Sequence, residues 1–442
     1  MKFIISTSSL QCQIADILPC NNGKKAQLIF ALIRAYGLLD YFDHVNDATV
    51  ATIKDMTKFH SLDYVKHLLT EVFTYNSTAY LEEEHQVLRL AEVAKKFYQD
   101  SDVEDDNQVL WFDNEYELFR YFKEEFNNNA NIKIDNVSKL DDKDFTKYGL
   151  HHDCPKFPFL SMYLQVIVGG TLSLLQHINH QTPSIAINWD GGRHHALKQY
   201  ASGFCYVNDI VLLIQSLRRK GWKRVTYVDF DLHYGDGVAK AFRFSDNVQT
   251  ISVHLYEPGF FPGTGSLEET RNSKQMVNLP VLHGMDDNYL LELISSVVTP
   301  LIETFNAECI VIQCGSDGLS GDKYNEWQLS IRGLTHAIIS IMNMFRDKQI
   351  FLLGGGGYNE LLVSRFYTYL TSKVLELYGN DISSSIPEDD SEVLLRDHEF
   401  IELYKDENYR YWSYDNDGEQ KTSLQNDNKK LHIEELKQFY HL

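Results

Sequence analysis

The run Arg224-Val225-Thr226-Tyr227-Val228-Asp229-Phe230-Asp231-Leu232-His233-Tyr234-Gly235-Asp236-Gly237 decides the reading of this chain. Its first half, Arg224–Phe230, is dominated by β-branched and aromatic residues without glycine or proline, the composition of a short buried strand. Its second half turns polar and ends on glycines, so the strand runs out into a loop of reactive groups. Asp229, Asp231 and His233 recur at period two as the chain leaves the strand, which points them to one face. Two carboxylates and an imidazole on one face form an oxygen-rich donor set for a metal ion.

Four other strand-like runs end in the same way. Ser184–Asn188 leads into Trp189-Asp190-Gly191-Gly192-Arg193-His194-His195, and Val248–His254 into Pro258-Gly259-Phe260-Phe261-Pro262-Gly263-Thr264-Gly265. Cys309–Gln313 leads into Cys314-Gly315-Ser316-Asp317, and Ile350–Leu353 into Gly354-Gly355-Gly356-Gly357-Tyr358. Around them Lys24–Leu39, Phe159–Ile178, Tyr206–Arg219, Asp287–Thr304 and Ile331–Arg346 carry apolar residues at three- and four-residue spacing and read as helices. Strands alternating with helices predict a single α/β domain with a central, mostly parallel β-sheet flanked by helices. Ligands of such sheets bind beyond the carboxyl ends of the strands, so five runs bring reactive groups to one rim.

The 442 residues carry 41 Lys and Arg against 62 Asp and Glu, a net charge of −21 that argues against direct nucleic-acid binding. The surplus is uneven. Residues 100–147 hold 14 acidic and 6 basic side chains, and 381–442 hold 16 and 7, leaving only −4 for the rest. The first stretch reads as an acidic surface insertion, partly helical over Glu115–Phe126. The second reads as an acidic C-terminal region packed on the domain, which spans 1–442. The six cysteines include no CxxC pair, which speaks against a disulfide framework or a thiolate zinc site. With no signal-peptide core and no uncharged apolar run of about 18 residues, the expectation is a soluble intracellular protein without a membrane contact.

Asp317, from another strand end, can join Asp231 and His233 as a third ligand, leaving positions open for water and substrate as catalytic zinc requires. His194 and His195 follow two glycines; adjacent imidazoles beside a metal site suit proton transfer, with Asp229 and Asp236 as candidate orienters. The run Gly354–Gly357 lacks both phosphate-binding patterns. An alternative role is to present the Tyr358 hydroxyl where negative charge develops.

Together these runs resemble the class I zinc-dependent histone deacetylases, which have the arginase-like α/β fold, and in particular a fungal branch of that class. The resemblance rests on Tyr148-Gly149-Leu150-His151-His152-Asp153-Cys154-Pro155, GGRHHA ending at Ala196, Ala201-Ser202-Gly203-Phe204-Cys205-Tyr206, DFDLHYGDG, GFFPGTG, CGSDGLSGD ending at Asp322 and LGGGGYN ending at Asn359. It extends from Lys24–Leu39 through Asp397-His398-Glu399-Phe400 and leaves out the acidic insertion. It implies that Asp231, His233 and Asp317 bind zinc and that His194 and His195 are catalytic, oriented by Asp229 and Asp236, with His195 as general base and acid. It further implies that Tyr358 bonds the acetyl oxygen, that Gly203, Phe204 and Phe261 line a substrate tunnel, and that Asp153 holds the substrate backbone at its rim. Potassium is implied at Asp229, Asp231, His233, Ser252 and Val253, with a second site near Phe242, Ser245 and Val248.

The implied activity is hydrolysis of N-ε-acetyl-lysine in histone tails or other nuclear proteins, such as cohesin subunits, with acetate released. Roles in chromatin and transcription or in chromosome cohesion follow, with a nuclear location, a cytoplasmic pool allowed, and a corepressor as a partner. An acetylpolyamine-type amidohydrolase or a catalytically silent chromatin scaffold are the alternatives. The chain departs from the family pattern at Tyr234, where histidine is usual, at Arg193, where leucine or tryptophan is usual, and at Lys25, where an arginine stands by the product-release channel. At Tyr324 leucine or methionine is common, so the pocket rim is expected to differ there. Arg193 is expected to supply cationic character for acetate exit.

Overall fold

A computed structural model describes residues 1–21, 24–70, 146–157, 160–379, 386–388, 390–415 and 420–442. The expectations for residues 100–145, including the helix at Glu115–Phe126, lie outside the described residues. Eight strands form one sheet: β1 Lys2–Ser6, β2 His44–Asn46, β3 Ser184–Asn188, β4 Val225–Asp229, β5 Val248–Leu255, β6 Met276–Val281, β7 Cys309–Gln313 and β8 Gln349–Leu353. Their order is β2-β1-β3-β8-β7-β4-β5-β6, and every pairing is parallel.

The five strands legible in the sequence are the contiguous inner ones, β3, β8, β7, β4 and β5, and every residue in them is buried. Helices cover both faces of such strands, so they read as unbroken apolar runs. Their side chains divide at period two. Ile185, Ile187, Ile310, Ile312, Ile350 and Leu352 enter one core with Lys25–Ala35, Ile331–Met344 and Glu360–Leu377. Ala186, Cys309, Val311, Phe351 and Leu353 enter the opposite core with Asp209–Arg219. The three strands that the sequence reading missed lie at or next to the edges. β2 is three residues long, β1 opens the chain and β6 contains Pro280, a residue that argues against a central strand and is tolerated on an edge.

The helix expected over Asp287–Thr304 is interrupted. It runs Asp287–Leu293, passes through a wide π turn at Ile294–Val298 and resumes at Thr299–Phe305, with Pro300 at the restart. Proline has no N–H to give the preceding turn, and the wider turn accommodates that loss. The expected helices over Lys24–Leu39 and Phe159–Ile178 each close early, at Ala35 and Ser173, and both are followed by a 3-10 turn.

The C-terminal residues make extensive contacts with this body. Tyr404, Tyr411 and Trp412 are fully buried, and Ile433 and Leu436 of the helix Lys430–Tyr440 are buried as well. The Asp415 carboxylate accepts from Ile331 N–H at 2.8 Å and Arg332 N–H at 3.2 Å, satisfying the first amides of the helix Ile331–Met344.

One buried imidazole makes this fold sensitive to acid. His60 is 2% exposed, accepts the Asn208 N–H at 3.0 Å on Nε2 and lies 3.3 Å from the Lys198 carbonyl through Nδ1. Burial lowers its pKa from 6.5 to about 4, against the opposing pull of the Lys198 and Leu197 carbonyls. Between those values the unfolded chain takes up a proton that the folded chain refuses, so the stability is full above pH 6.5 and is lost as pH falls towards 4. At about 1.4 kcal/mol per unit the loss is roughly 3 kcal/mol. Urea unfolding of His60→Ala is expected to show a lower midpoint at neutral pH and a flatter decline between pH 6.5 and 4 than the parent chain. Parallel declines in the two proteins would show that His60 does not carry the effect.

Candidate active site

The segments beyond the carboxyl ends of β3, β4 and β8 meet in one pocket, whose walls include Lys25, Arg193, His194, His195, Gly203, Phe204, Asp231, His233 and Tyr358. β4 stops at Asp229, and the chain beyond it is held by backbone bonds from Phe230 N–H to the Gln313 carbonyl and from Leu255 N–H to the Leu232 carbonyl. This extended exit places Asp231 and His233 opposite Asp317, which leaves β7. Donor atoms of the three lie within 4.8 Å of one another and all three residues are buried. His233 Nδ1 is 2.9 Å from Asp317 Oδ2 and 3.3 Å from Asp231 Oδ1.

The surrounding groups fix these carboxylates without neutralising them. Asp231 Oδ2 accepts from Gln313 Nε2 at 2.8 Å and from Gly356 N–H at 2.7 Å, and Asp317 Oδ1 accepts from Leu232 N–H at 2.9 Å. Burial and the neighbouring Asp231 push Asp317 up to about 7, and the two carboxylates overcome burial to hold His233 at about 10. Such a cluster draws positive charge into itself. Two carboxylates and an imidazole with fixed outer oxygens fit a divalent cation, whose charge would relieve the same repulsion.

Each histidine of the adjacent pair has its own carboxylate. His194 Nδ1 lies 2.9 Å from Asp229 Oδ2, which also accepts from the Tyr227 hydroxyl at 2.7 Å. His195 Nδ1 lies 3.0 Å from Asp236 Oδ1, while Lys240 Nζ donates to the other oxygen at 2.7 Å. The rings are 3.9 Å apart. Burial disfavours charge on both, yet Asp231 and Asp229 reverse this for His194 and raise it to about 9. His195 is instead lowered to about 4 by burial and by His194, despite Asp236. The surroundings thus bias the two imidazoles in opposite directions, His194 towards the charged form and His195 towards the neutral one.

The aromatic groups stand around these donors. Phe261 packs edge-on to His195 at 4.9 Å, and Phe204 faces Tyr358 at 5.9 Å. Tyr324 meets His233 at 4.9 Å and Tyr358 at 5.1 Å. Burial, then the charge of Asp317, keeps the Tyr358 hydroxyl protonated far above neutral pH. Gly203 has φ +55°, and a Cβ there would come within 2.3 Å of His195, so only glycine allows this backbone to lie against that ring. Asp153 is exposed at the rim, where its carboxylate accepts the Gly203 N–H at 2.6 Å.

Lys25 is buried and donates to the Gly355 carbonyl at 3.0 Å; Arg193 reaches the Asp190 carbonyl at 3.0 Å, and both line the pocket. Ser252 pairs with Asp229 in the β4–β5 register. Near the start of β5, the Phe242 carbonyl accepts from Ser245 N–H, and the Ser245 hydroxyl accepts from Val248 N–H. Tyr234 turns its hydroxyl to the Met276 sulfur at 3.4 Å and its ring to His254, away from the metal donors.

Several supporting residues escaped the sequence reading. Gln313 grips Asp231, Phe260 stacks on His233 at 5.1 Å, and Asp209 accepts Gly192 N–H at 3.0 Å and Arg193 N–H at 2.8 Å beneath the histidine loop. Asp322 accepts the Tyr358 and Asn359 N–H groups. Asp322 was already present in the CGSDGLSGD run and Phe260 in the GFFPGTG run; Gln313 and Asp209 had no signal beyond a polar residue inside a buried strand or helix.

The sequence model of the family described as "Histone deacetylase domain" matches residues 18–374. The chain is 46% identical over 468 residues to "Histone deacetylase HOS1" of Saccharomyces cerevisiae, with all of both chains covered. It is 34% identical over 383 residues to "Histone deacetylase 8" of Danio rerio, covering 86% of this chain and 80% of that protein. Against "Histone deacetylase 1" of Homo sapiens it is 39% identical over 262 residues, 59% of this chain and 53% of that protein. With donors, histidine pair and tyrosine converging on one pocket of a parallel α/β sheet, and with likeness over its whole length, this chain belongs to the histone deacetylase family.

Proposed function

We propose that this chain hydrolyses the side-chain amide of N-ε-acetyl-lysine in protein tails, histones or other nuclear proteins such as cohesin subunits, with zinc held by Asp231, His233 and Asp317. The observation that carries this reading is the convergence of those three donors, two histidines on separate carboxylates and the Tyr358 hydroxyl in one pocket. A zinc ion bound there would supply Lewis acidity to the acetyl carbonyl and to the attacking water.

The remaining steps belong to the chain's own side chains. His195, neutral and anchored by Asp236, takes the proton of the attacking water and returns it to the leaving lysine amine. His194, kept charged by Asp229 and Asp231, adds positive potential beside the developing oxyanion, and the Tyr358 hydroxyl donates to that oxygen. Phe204 and Phe261 enclose the four lysine methylenes, worth at most about 3 kcal/mol at roughly 0.8 kcal/mol each. Asp153 stands outside them where a peptide backbone passes, which favours a protein substrate over a free polyamine. Potassium at the β4 and β5 ends would brace the loop of Asp229, Asp231 and His233 from behind. A lysine-rich tail suits a chain of net charge −21, and the pull weakens with salt. A nuclear location and a corepressor partner accompany this reading.

Purified protein is expected to carry close to one zinc per chain and to release acetate from acetyl-lysine peptides. Tyr358→Phe should lower kcat on the order of 10²- to 10³-fold, and His195→Ala about 10²- to 10⁴-fold, with zinc content retained in both. Equal turnover in all three proteins, or no bound metal, would end the proposal. Removing the metal with a chelator should abolish turnover, and added zinc should restore it. Arg193→Leu should slow turnover and change inhibition by added acetate, because it removes a cation from the wall of the pocket. Unchanged values of both would exclude Arg193 from product exit.

A further inference from the structure

The loop that carries Tyr358 is tied to the C-terminal region by a buried polar chain, and we propose that Glu407, Tyr414 and Asn359 are positioning residues for the Tyr358 hydroxyl. The inference rests on the role given to Tyr358 above. The chain begins at Arg365, fully buried inside the helix Glu360–Leu377, whose guanidinium pairs with Glu407 at 2.6 Å. The other Glu407 oxygen accepts from the Tyr414 hydroxyl. That hydroxyl oxygen in turn accepts from Asn359 Nδ2 at 2.9 Å, and the same amide donates to the Gly321 carbonyl at 2.9 Å.

Asn359 follows Tyr358 directly. Its side-chain oxygen accepts the Leu362 N–H at 3.2 Å and so also caps the helix Glu360–Leu377. One residue beyond Gly321, the buried Asp322 carboxylate accepts Tyr358 N–H at 2.7 Å and Asn359 N–H at 3.1 Å through Oδ2, and Tyr324 N–H at 3.3 Å through Oδ1. The Tyr358 backbone is therefore held from two sides, by Asp322 and through Asn359. Gly321 has φ +93° and a Cβ there would lie 2.5 Å from the Tyr414 ring, so the C-terminal aromatic sits directly on the loop carrying Asp322.

The neighbouring stitches point the same way. Thr422 N–H donates to the Ser320 hydroxyl at 2.7 Å, and Gln328 Nε2 donates to the Leu424 carbonyl at 2.9 Å. The segment 320–328 follows Asp317 and includes Tyr324, whose ring meets His233 and Tyr358, so the C-terminal region also holds the loop behind those two side chains. A hydroxyl that must meet a developing oxyanion at hydrogen-bond distance loses its effect when its backbone drifts by an ångström. Tyr414 therefore acts on turnover through Tyr358, at a distance from substrate.

A double-mutant cycle tests this on the full chain with an acetyl-lysine peptide. Tyr414→Phe removes one hydroxyl and with it the link between Glu407 and Asn359. It is expected to lower kcat on the order of tenfold with KM changed less than about twofold. In a Tyr358→Phe background, where no hydroxyl remains to be positioned, the same substitution should change kcat by less than about twofold. Asn359→Asp serves as a second variant: it keeps the helix cap, removes both donations, and should show the same background-dependent loss. Equal losses in the two backgrounds would make the network merely structural, and no loss from either variant would also overturn the inference. A parent chain with no deacetylase turnover would instead defeat the proposed function.

Discussion

The site depends on holding several buried carboxylates close together. Asp229, Asp231 and Asp317 are each at most 1% exposed, and an ionised carboxylate taken out of water costs several kcal/mol unless it is paired or hydrogen-bonded. The chain meets that cost with specific partners. Asp229 has the His194 imidazole and the Tyr227 hydroxyl, Asp231 has Gln313 and the Gly356 amide, and Asp317 has the Leu232 amide. These partners fix positions but do not cancel the charge, and the repulsion that remains favours a cation.

A parallel sheet is suited to this task. Its strands all deliver their carboxyl ends to one edge, so donors far apart in sequence meet without long loops. β4 and β7 are neighbours, which sets Asp231 and His233 against Asp317, and β8 lies next to β7, which brings Gly356 to Asp231 and Tyr358 into the same pocket. The same geometry separates the two histidines electrically. Asp231 and Asp229 raise the pKa of His194, while burial and the neighbouring His194 lower that of His195 despite Asp236. Two adjacent residues thus have their pKa values pushed in opposite directions by their surroundings.

The departures from the family pattern acquire physical content in this frame. Tyr234 is directed to Met276 and His254, so its effect on the metal donors passes through packing. Arg193 and Lys25 place two basic side chains in the wall of the pocket, beside the histidine pair and Tyr358. Tyr324 packs edge-on against both His233 and Tyr358, so an aromatic ring bridges the two.

The inner strands, the sheet's parallel character and the reactive run at each strand end were legible in the sequence because burial on both faces leaves unbroken apolar stretches followed abruptly by polar ones. β2 and β6 were not, since one is three residues long and the other contains Pro280, and β1, five residues like most of the inner strands, has no glycine-rich run directly behind it. Residue identity by itself determined which chemistry was available: the Asp231-His233 spacing, the adjacent histidines and the tyrosine after a glycine run. Only the tertiary structure decided which carboxylate orients which imidazole, that Gln313 and Asp322 support the site, and that Glu407 and Tyr414 reach the Tyr358 loop. Those pairings join residues separated by tens to hundreds of positions, and local sequence holds no record of contacts that arise only when the sheet assembles and the C-terminal region closes against it.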